Sequence, residues 1–395
     1  MRYPLIEFAL CASLAAQGQI YVVDASSGPG TSYTSIQAAV LAVPDGSTLI
    51  VRAGVYTPVL IDAKGLTILC EPNVLVHMVA GNPFIPFLRV QNTQSNQTVT
   101  VRGLRGEGGG AVGVGPFRII NAAGPVTLDG AGLPLGQWGP TSTIANSSQV
   151  AIRDWTLVGG NPTCAVSNSV VVFETCTLHG ADAYTTKFGG SPGGSGLGAV
   201  NSQVQLVQTT VVGGDGLDPS WPSATAAPAV TLAASSLRAM GLPSHPLTGG
   251  TAPSGQQPAV TGTGVARVDP LIPLSGPPTV TLTRPTMPSV VADSAGPGGV
   301  LTARRFGAPN LFCAMAISLR APSSTVPWLT DPIWLDQNNF IVDVFGITPA
   351  TGPFVVTKNV PNQPGLRGFQ FVWQAVDFTP AGLVDLSNPS PSFVR

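Results

Sequence analysis

Four stretches in the middle of the chain share one alternation of apolar and polar positions. Gln149-VAIRDWTLVGG, Ser169-VVVFETCTLHG, Gln203-VQLVQTTVVGG and Ala229-VTLAASSLRAM place Val150, Val170, Val204 and Val230 in one column and Ile152, Val172, Leu206 and Leu232 in another. Six residues after each first valine stands a small residue: Thr156, Cys176, Thr210 or Ser236. The starts lie 20, 34 and 26 residues apart, so the motif is kept while the connections vary, which is the signature of a repeat architecture. Pro125-VTLDG, Gln97-TVTVRG and Gly65-LTILCEP extend the series upstream, and Pro258-AVTGTG extends it downstream. Short segments of period-two alternation bounded by Gly, Asn, Asp or Pro predict strands. A unit of two or three such strands cannot bury its own apolar face, so successive units must stack. Parallel stacking at about 4.8 Å per layer sets like residues on like and builds interior ladders of Val, Ile and Leu. The pattern therefore predicts an all-β chain whose main body is a parallel β-helix.

One segment breaks the strand pattern. In Thr34-SIQAAVLAVPDGSTLIVRAGVY, Ile36, Ala39, Val40 and Val43 fall on one helical stripe, Thr34 or Ser35 can cap its start, and Pro44-Asp45-Gly46 stops it. The open end of a stacked coil exposes apolar side chains and unpaired backbone groups, so this helix is expected to be its lid. Ser35-IQAAVLAVPDGSTLIVRAGVY, followed by Val59-LIDAKGLTILCEP, resembles the N-terminal cap and first coils of right-handed β-helix proteins of the pectin lyase-like superfamily, nearest to secreted bacterial proteins of uncharacterised function. The resemblance is specific over residues 20 to 76 and looser to about residue 270; it implies a right-handed fold and says much less about chemistry.

Composition agrees. Charged residues make up 9% of the chain, while 47 Gly and 38 Pro punctuate it, which favours strands and turns. With 18 basic and 19 acidic side chains, there is no electrostatic footprint for nucleic acid or an anionic membrane. Residues 1–18 read as an export signal with an apolar run from Leu5 to Ala16, and no later run is long enough to span a bilayer. The β-helix is expected over 19–270 and a proline-rich linker over 271–282. Residues 283–395 carry strongly alternating segments such as Leu311-FCAMAISL, Phe340-IVDVFGI and Gly368-FQFVWQAVDF, which predict a small antiparallel β-sandwich-like domain. Cys70, Cys164, Cys176 and Cys313 match no metal-binding spacing, and their pairing is left open.

Three clusters are candidates for chemistry. The long connections Gly180-ADAYTTKFGGSPGGSGLG and Gly213-GDGLDPSWPSATAAP are expected on one side of adjacent coils. There Asp182, Asp215 and Asp218 are the candidate metal ligands, Lys187 the candidate catalytic base, and Tyr184 and Trp221 the sugar platforms. Asp154 and Glu174, read as equivalent positions of adjacent coils, would stack as carboxylates and push one pKa up, as a general acid requires. The column continues with Gln208 and Ala234, which favours plain turn chemistry instead. Arg102, Arg105 and Glu107, beside the glycine-rich run 108–115, read as a solvated loop. Gly54-Val55-Tyr56-Thr57-Pro58 keeps the Gly and Tyr of the pectin methylesterase signature but puts Pro at its acidic position, and the polygalacturonase signatures are absent.

Two functional readings follow. The preferred one is a monomeric, secreted or surface-exposed β-helix that binds polysaccharide or another surface component without catalysis and needs no cofactor. The alternative is a calcium-dependent polysaccharide lyase acting on uronate-containing glycans.

Overall fold

The computed structural model describes residues 18–77, 85–107, 116–130, 141–186, 189–217, 225–324, 329, 331–336, 340–379 and 384–395. The expected leader, up to residue 17, and the glycine-rich run 108–115 lie outside them. The described chain folds as a right-handed parallel β-helix followed by an antiparallel domain, and 17 strands of the helix join one parallel sheet that forms two of its walls. In one wall, Ile68, Val101, Leu128, Ile152, Phe173, Leu206 and Ala239 stack in register. In the other, Ile61, Val90, Ile119, Ile144, Val166, Ala199 and Leu232 do the same. All of these side chains are buried. A third wall is built from short strands such as Thr156–Val158, Thr177–His179 and Thr210–Val212.

The repeat read from the sequence is present with its register corrected. Val150 stacks on Val171, then on Val204 and Leu237. Val170 lies one place earlier, and Val230 belongs to the neighbouring wall, between Leu197 and Val260. The slip has a physical cause: of Val170, Val171 and Val172, the choice falls so that Phe173 points into the core and Glu174 points out. Val230 is displaced because Val230–Met240 is a single 11-residue strand that turns a corner at Ala234 (φ 48°) and serves both walls. At the other end, Thr281–Thr283 adds a parallel strand to Val265–Arg267, so the stacked layers run on into the segment expected as a linker.

The lid is the helix Ile36–Ala42, which buries Ile36, Ala39 and Val40 and takes its N-cap from Ser35, whose hydroxyl accepts from Ala38 N at 3.4 Å. The Gln37 amide stands in for a missing coil: its Oε1 accepts from Leu60 N at 2.6 Å and its Nε2 donates to Leu60 O at 3.3 Å. Lys64 Nζ closes the far end by donating to the Val40 and Val43 carbonyls at 2.7 and 2.8 Å.

The antiparallel domain has one sheet of Ser289–Ala292, Val300–Phe306 and Phe354–Asn359. A second is centred on Phe312–Ser324 and Gln370–Phe378. Val290, Leu301, Met315, Val356 and Trp373 are in the core between them. Strand Gln370–Phe378 and its approach lie along the β-helix, across successive coils. Gly368 comes against Thr48 and Thr67, Gln370 bonds to Thr100 and Thr127 at 2.9 Å each, and Val372 shares an apolar cluster with Ala151, Val172, Val207 and Met240. Cys70, Cys164, Cys176 and Cys313 are free thiols.

Close approach between layers selects glycine where the insertions stack. Gly214 N donates to Gly194 O at 2.8 Å, and a Cβ on Gly214 would sit 1.8 Å from Ala181 O. Gly214→Ala is therefore expected to cost on the order of 3 kcal/mol or more by forcing two layers apart, whereas Gly296→Ala, with open space around it, should change stability by less than about 0.5 kcal/mol. Urea unfolding of the two variants checks this; equal midpoints would reject the layer contact.

Candidate functional site

The two long insertions do meet. Asp182 Oδ1 accepts from Asp215 N at 2.9 Å, and Asp215 Oδ1 accepts from Thr251 N and Thr251 Oγ1 at 2.6 and 2.8 Å. Each carboxylate thus caps the backbone of the following coil. Tyr184 opens the hairpin Tyr184–Thr186/Gly189–Ser191. Lys187, Asp218 and Trp221 lie outside the described residues, and among the described residues no three His, Cys, Asp or Glu side chains gather as a metal site.

Asp154 and Glu174 do not stack on each other. Strand register pairs Glu174 with Arg153 and sets Asp154, in the left-handed region at φ 53°, beside Thr175, whose hydroxyl donates to it. Glu174 belongs instead to an outward column of alternating charge, Arg102, Asp129, Arg153 and Glu174, buried beneath the antiparallel domain. Arg102 Nε approaches Asp129 at 3.4 Å, and Arg153 approaches Asp129 at 4.0 Å and Glu174 at 2.9 Å. Arg102 is thus a member of this ladder, not of a solvated loop. The Arg153 guanidinium also donates to the Pro391 and Ala292 carbonyls, and Ser390 Oγ donates to Glu174 Oε1 at 3.0 Å. Glu174 Oε2 is buried with no hydrogen-bond partner among the described residues. Burial pushes the Glu174 carboxyl up to about 7, against the opposing pull of Arg153 and Ser390. A fully covered carboxyl of this kind serves the joint between domains and has no path to a substrate.

A second cation crosses the same joint. Arg320 Nη2 donates to the Val126 and Gln149 carbonyls at 3.2 and 3.3 Å, its guanidinium lies 5.3 Å from the Trp334 ring centroid, and burial lowers its pKa to about 9.

Open to solvent, by contrast, is a corner where asparagine recurs from coil to coil. Asn92, Asn121, Asn146, Asn168 and Asn201 occupy equivalent turn positions, with φ from 47° to 56°, a region Asn tolerates better than other residues. Their amides form a one-way chain: Asn168 donates to Asn146 at 3.0 Å, Asn146 to Asn121 at 3.1 Å, Asn121 to Asn92 at 3.4 Å, and Asn92 to the Asp62 carboxylate at 2.9 Å. Directly after each of the last three comes a buried serine, and Ser169, Ser202 and Ser235 accept from the backbone N–H of Ser147, Ser169 and Ser202 at 3.0, 3.2 and 3.1 Å. Asn146, Ser148, Asn168, Asn201 and Gln203 line a shallow groove of about 520 Å³ across these coils. The readable signal was the Asn-Ser dipeptide recurring at 146, 168 and 201.

Among solved structures the chain is similar to a pectin methylesterase in complex with a hexasaccharide, at 15% identity over 68% of this chain and 81% of that one, with a TM-score of 0.28. It is also similar to pectin methylesterase PemA from Erwinia chrysanthemi, at 13% identity over 68% and 81% with a TM-score of 0.29. A third is YbhC of Escherichia coli, at 14% over 64% and 72% with a TM-score of 0.26. No family model and no curated protein matches the chain. At these values the likenesses carry no chemistry, and the fold rests on the strand register described above.

Removing one member of the charge ladder should cost more than replacing the pair. Arg153→Ala strands Glu174, leaves Asp129 with Arg102 alone and is expected to destabilise by about 3–5 kcal/mol, whereas Arg153→Met with Glu174→Leu should cost far less; denaturant titration distinguishes them, and equal losses would discount the ladder. The raised Glu174 pKa also sets a sign. Its ionised form is disfavoured in the folded chain, so the penalty is full above about pH 7 and vanishes as pH falls toward the unfolded value of 4.5. Wild type should therefore gain thermal stability relative to Glu174→Gln on going from about pH 8 to about pH 5; parallel calorimetric curves would refute the assignment.

Proposed function

We propose that the protein is a secreted or surface-exposed, non-catalytic binder of polysaccharide or a comparable surface component, with an extended glycan lying along the asparagine corner. The observation that carries this reading is the groove with its ladder of exposed amides. Each amide has two N–H donors and two acceptor positions, and the ladder bonds engage one of each on Asn121 and Asn146. The remaining donor and acceptor repeat at about 4.8 Å, the layer spacing, comparable to the length of one pyranose residue in an extended chain. Recognition by uncharged donor and acceptor pairs also suits a chain with so few charges. Export is part of the proposal and is supported by the composition of residues 1–18; no helix among the described residues is long and apolar enough to cross a membrane.

The lyase alternative has less behind it. Asp182 and Asp215 are each engaged with main-chain N–H groups, and Lys187, Asp218 and Trp221 lie outside the described residues. Calorimetric titration with extended neutral glycans tests the preferred reading: wild type should bind at least one, and Asn146→Ala with Asn168→Ala should weaken it about tenfold by removing two rungs. Absence of binding across the panel, together with chelator-sensitive release of unsaturated uronate from polygalacturonate or alginate, would replace this reading with the lyase.

A further inference from the structure

The solvent-facing column of the second wall departs from the charge pairing seen elsewhere. Leu60, Arg89, Arg118 and Thr143 follow one another in register, so two arginines stand on adjacent rungs, about 4.8 Å apart in the strand-pairing direction. Both are half-buried, and the Nε of each is buried with no hydrogen-bond partner among the described residues. Neither makes an ion pair there. Asp62, the acid on the neighbouring strand, accepts from Gln91 and Asn92 at 2.8 and 2.9 Å. Glu107 ends the strand Arg105–Glu107, which belongs to the third wall. The intervening stretches 78–84, 108–115 and 131–140 contain no Asp or Glu in sequence, so they have no carboxylate to offer.

Two like charges on neighbouring rungs repel, and on the covered wall this chain prevents that by alternating Arg with Asp or Glu. The uncompensated pair calls for an anion from outside the chain. The number of donors narrows its kind. Because the Nε atoms are covered, the donors available to a ligand are the Nη N–H groups of two guanidinium planes one rung apart; a carboxylate would have to serve both planes with the same two oxygens, while a sulfate or phosphate group can give each plane oxygens of its own. We infer that Arg89 and Arg118 form a binding site for a tetrahedral oxyanion, a sulfate or phosphate group, either free or carried as a substituent on a surface polymer. The site is on the wall that ends at the asparagine corner but shares no residue with the groove, so it stands or falls separately from glycan binding there.

The test uses the full chain, its Arg89→Gln/Arg118→Gln double variant and the Arg89→Lys/Arg118→Lys variant, with inorganic sulfate, a sulfated dextran oligosaccharide and unmodified dextran as probes. Wild type should bind the sulfated oligosaccharide at least about tenfold more tightly than dextran. The glutamine variant should lose that preference, and the lysine variant should keep charge but lose part of the affinity with the planar fork. Sulfate stabilises proteins generally by exclusion, so its effect on melting is read as the difference between wild type and the glutamine variant. A larger sulfate response in wild type without binding of the polymer would support the site and assign it a free ion. Equal binding of sulfated and plain dextran, retention of the preference in the glutamine variant, or no response to either anion overturns the proposal. Neutral-glycan binding at the corner, measured in the same double variant, reports on the groove alone.

Discussion

Each coil passes its backbone hydrogen bonds to the next in register, and every other property of this molecule depends on that constraint. Once residues of equivalent position must lie on one another, the content of a column decides what the column does. Columns of Val, Ile and Leu make the interior. Columns of Asn at the left-handed corner make a polarised amide chain that terminates on the Asp62 carboxylate. A column of charge is tolerable under cover only if signs alternate, and Arg102, Asp129, Arg153 and Glu174 alternate.

That alternation also defines the joint between the two domains. Buried ion pairs contribute little net stability, because desolvation offsets most of their attraction, so the apolar cluster of Ala151, Val172, Val207, Met240, Trp334 and Val372 supplies the burial while the polar groups fix the position. The Thr100, Gln370 and Thr127 contacts and the Arg153 donations to Ala292 and Pro391 each have geometry that a shift of one rung would break. In such a joint, specificity comes from hydrogen bonds and adhesion from area.

The fold was legible because period-two alternation recurs with the same apolar columns, and the lid because Ser35, the apolar stripe and Pro44 mark one short helix. Register was less legible, since Val170, Val171 and Val172 are interchangeable by hydropathy and only the placement of Phe173 and Glu174 separates them. The meeting of Asp182 and Asp215 could be placed from the insertions, but their service to neighbouring backbone could not, because hydrogen-bond partners a coil away leave no local mark. Glu174 was misread most: its burial comes from residues of another domain more than a hundred positions later. Apolar side chains at outward positions, Ala151, Val172, Val207 and Met240, were the available hint that this wall is covered.

Stacked-repeat proteins ordinarily lengthen or shorten by whole units, because each unit touches only its neighbours. Here the approach to strand Gln370–Phe378 meets the threonines of the early coils, and Asp385 on the adjoining strand reaches Arg238 and Arg267 of the late ones at 3.6 Å. A lengthwise brace of this sort has a fixed span. Duplicating or deleting a coil beneath it would move one anchorage by a whole layer and leave the other in place, so the antiparallel domain works as a ruler that sets how many coils the covered wall can contain.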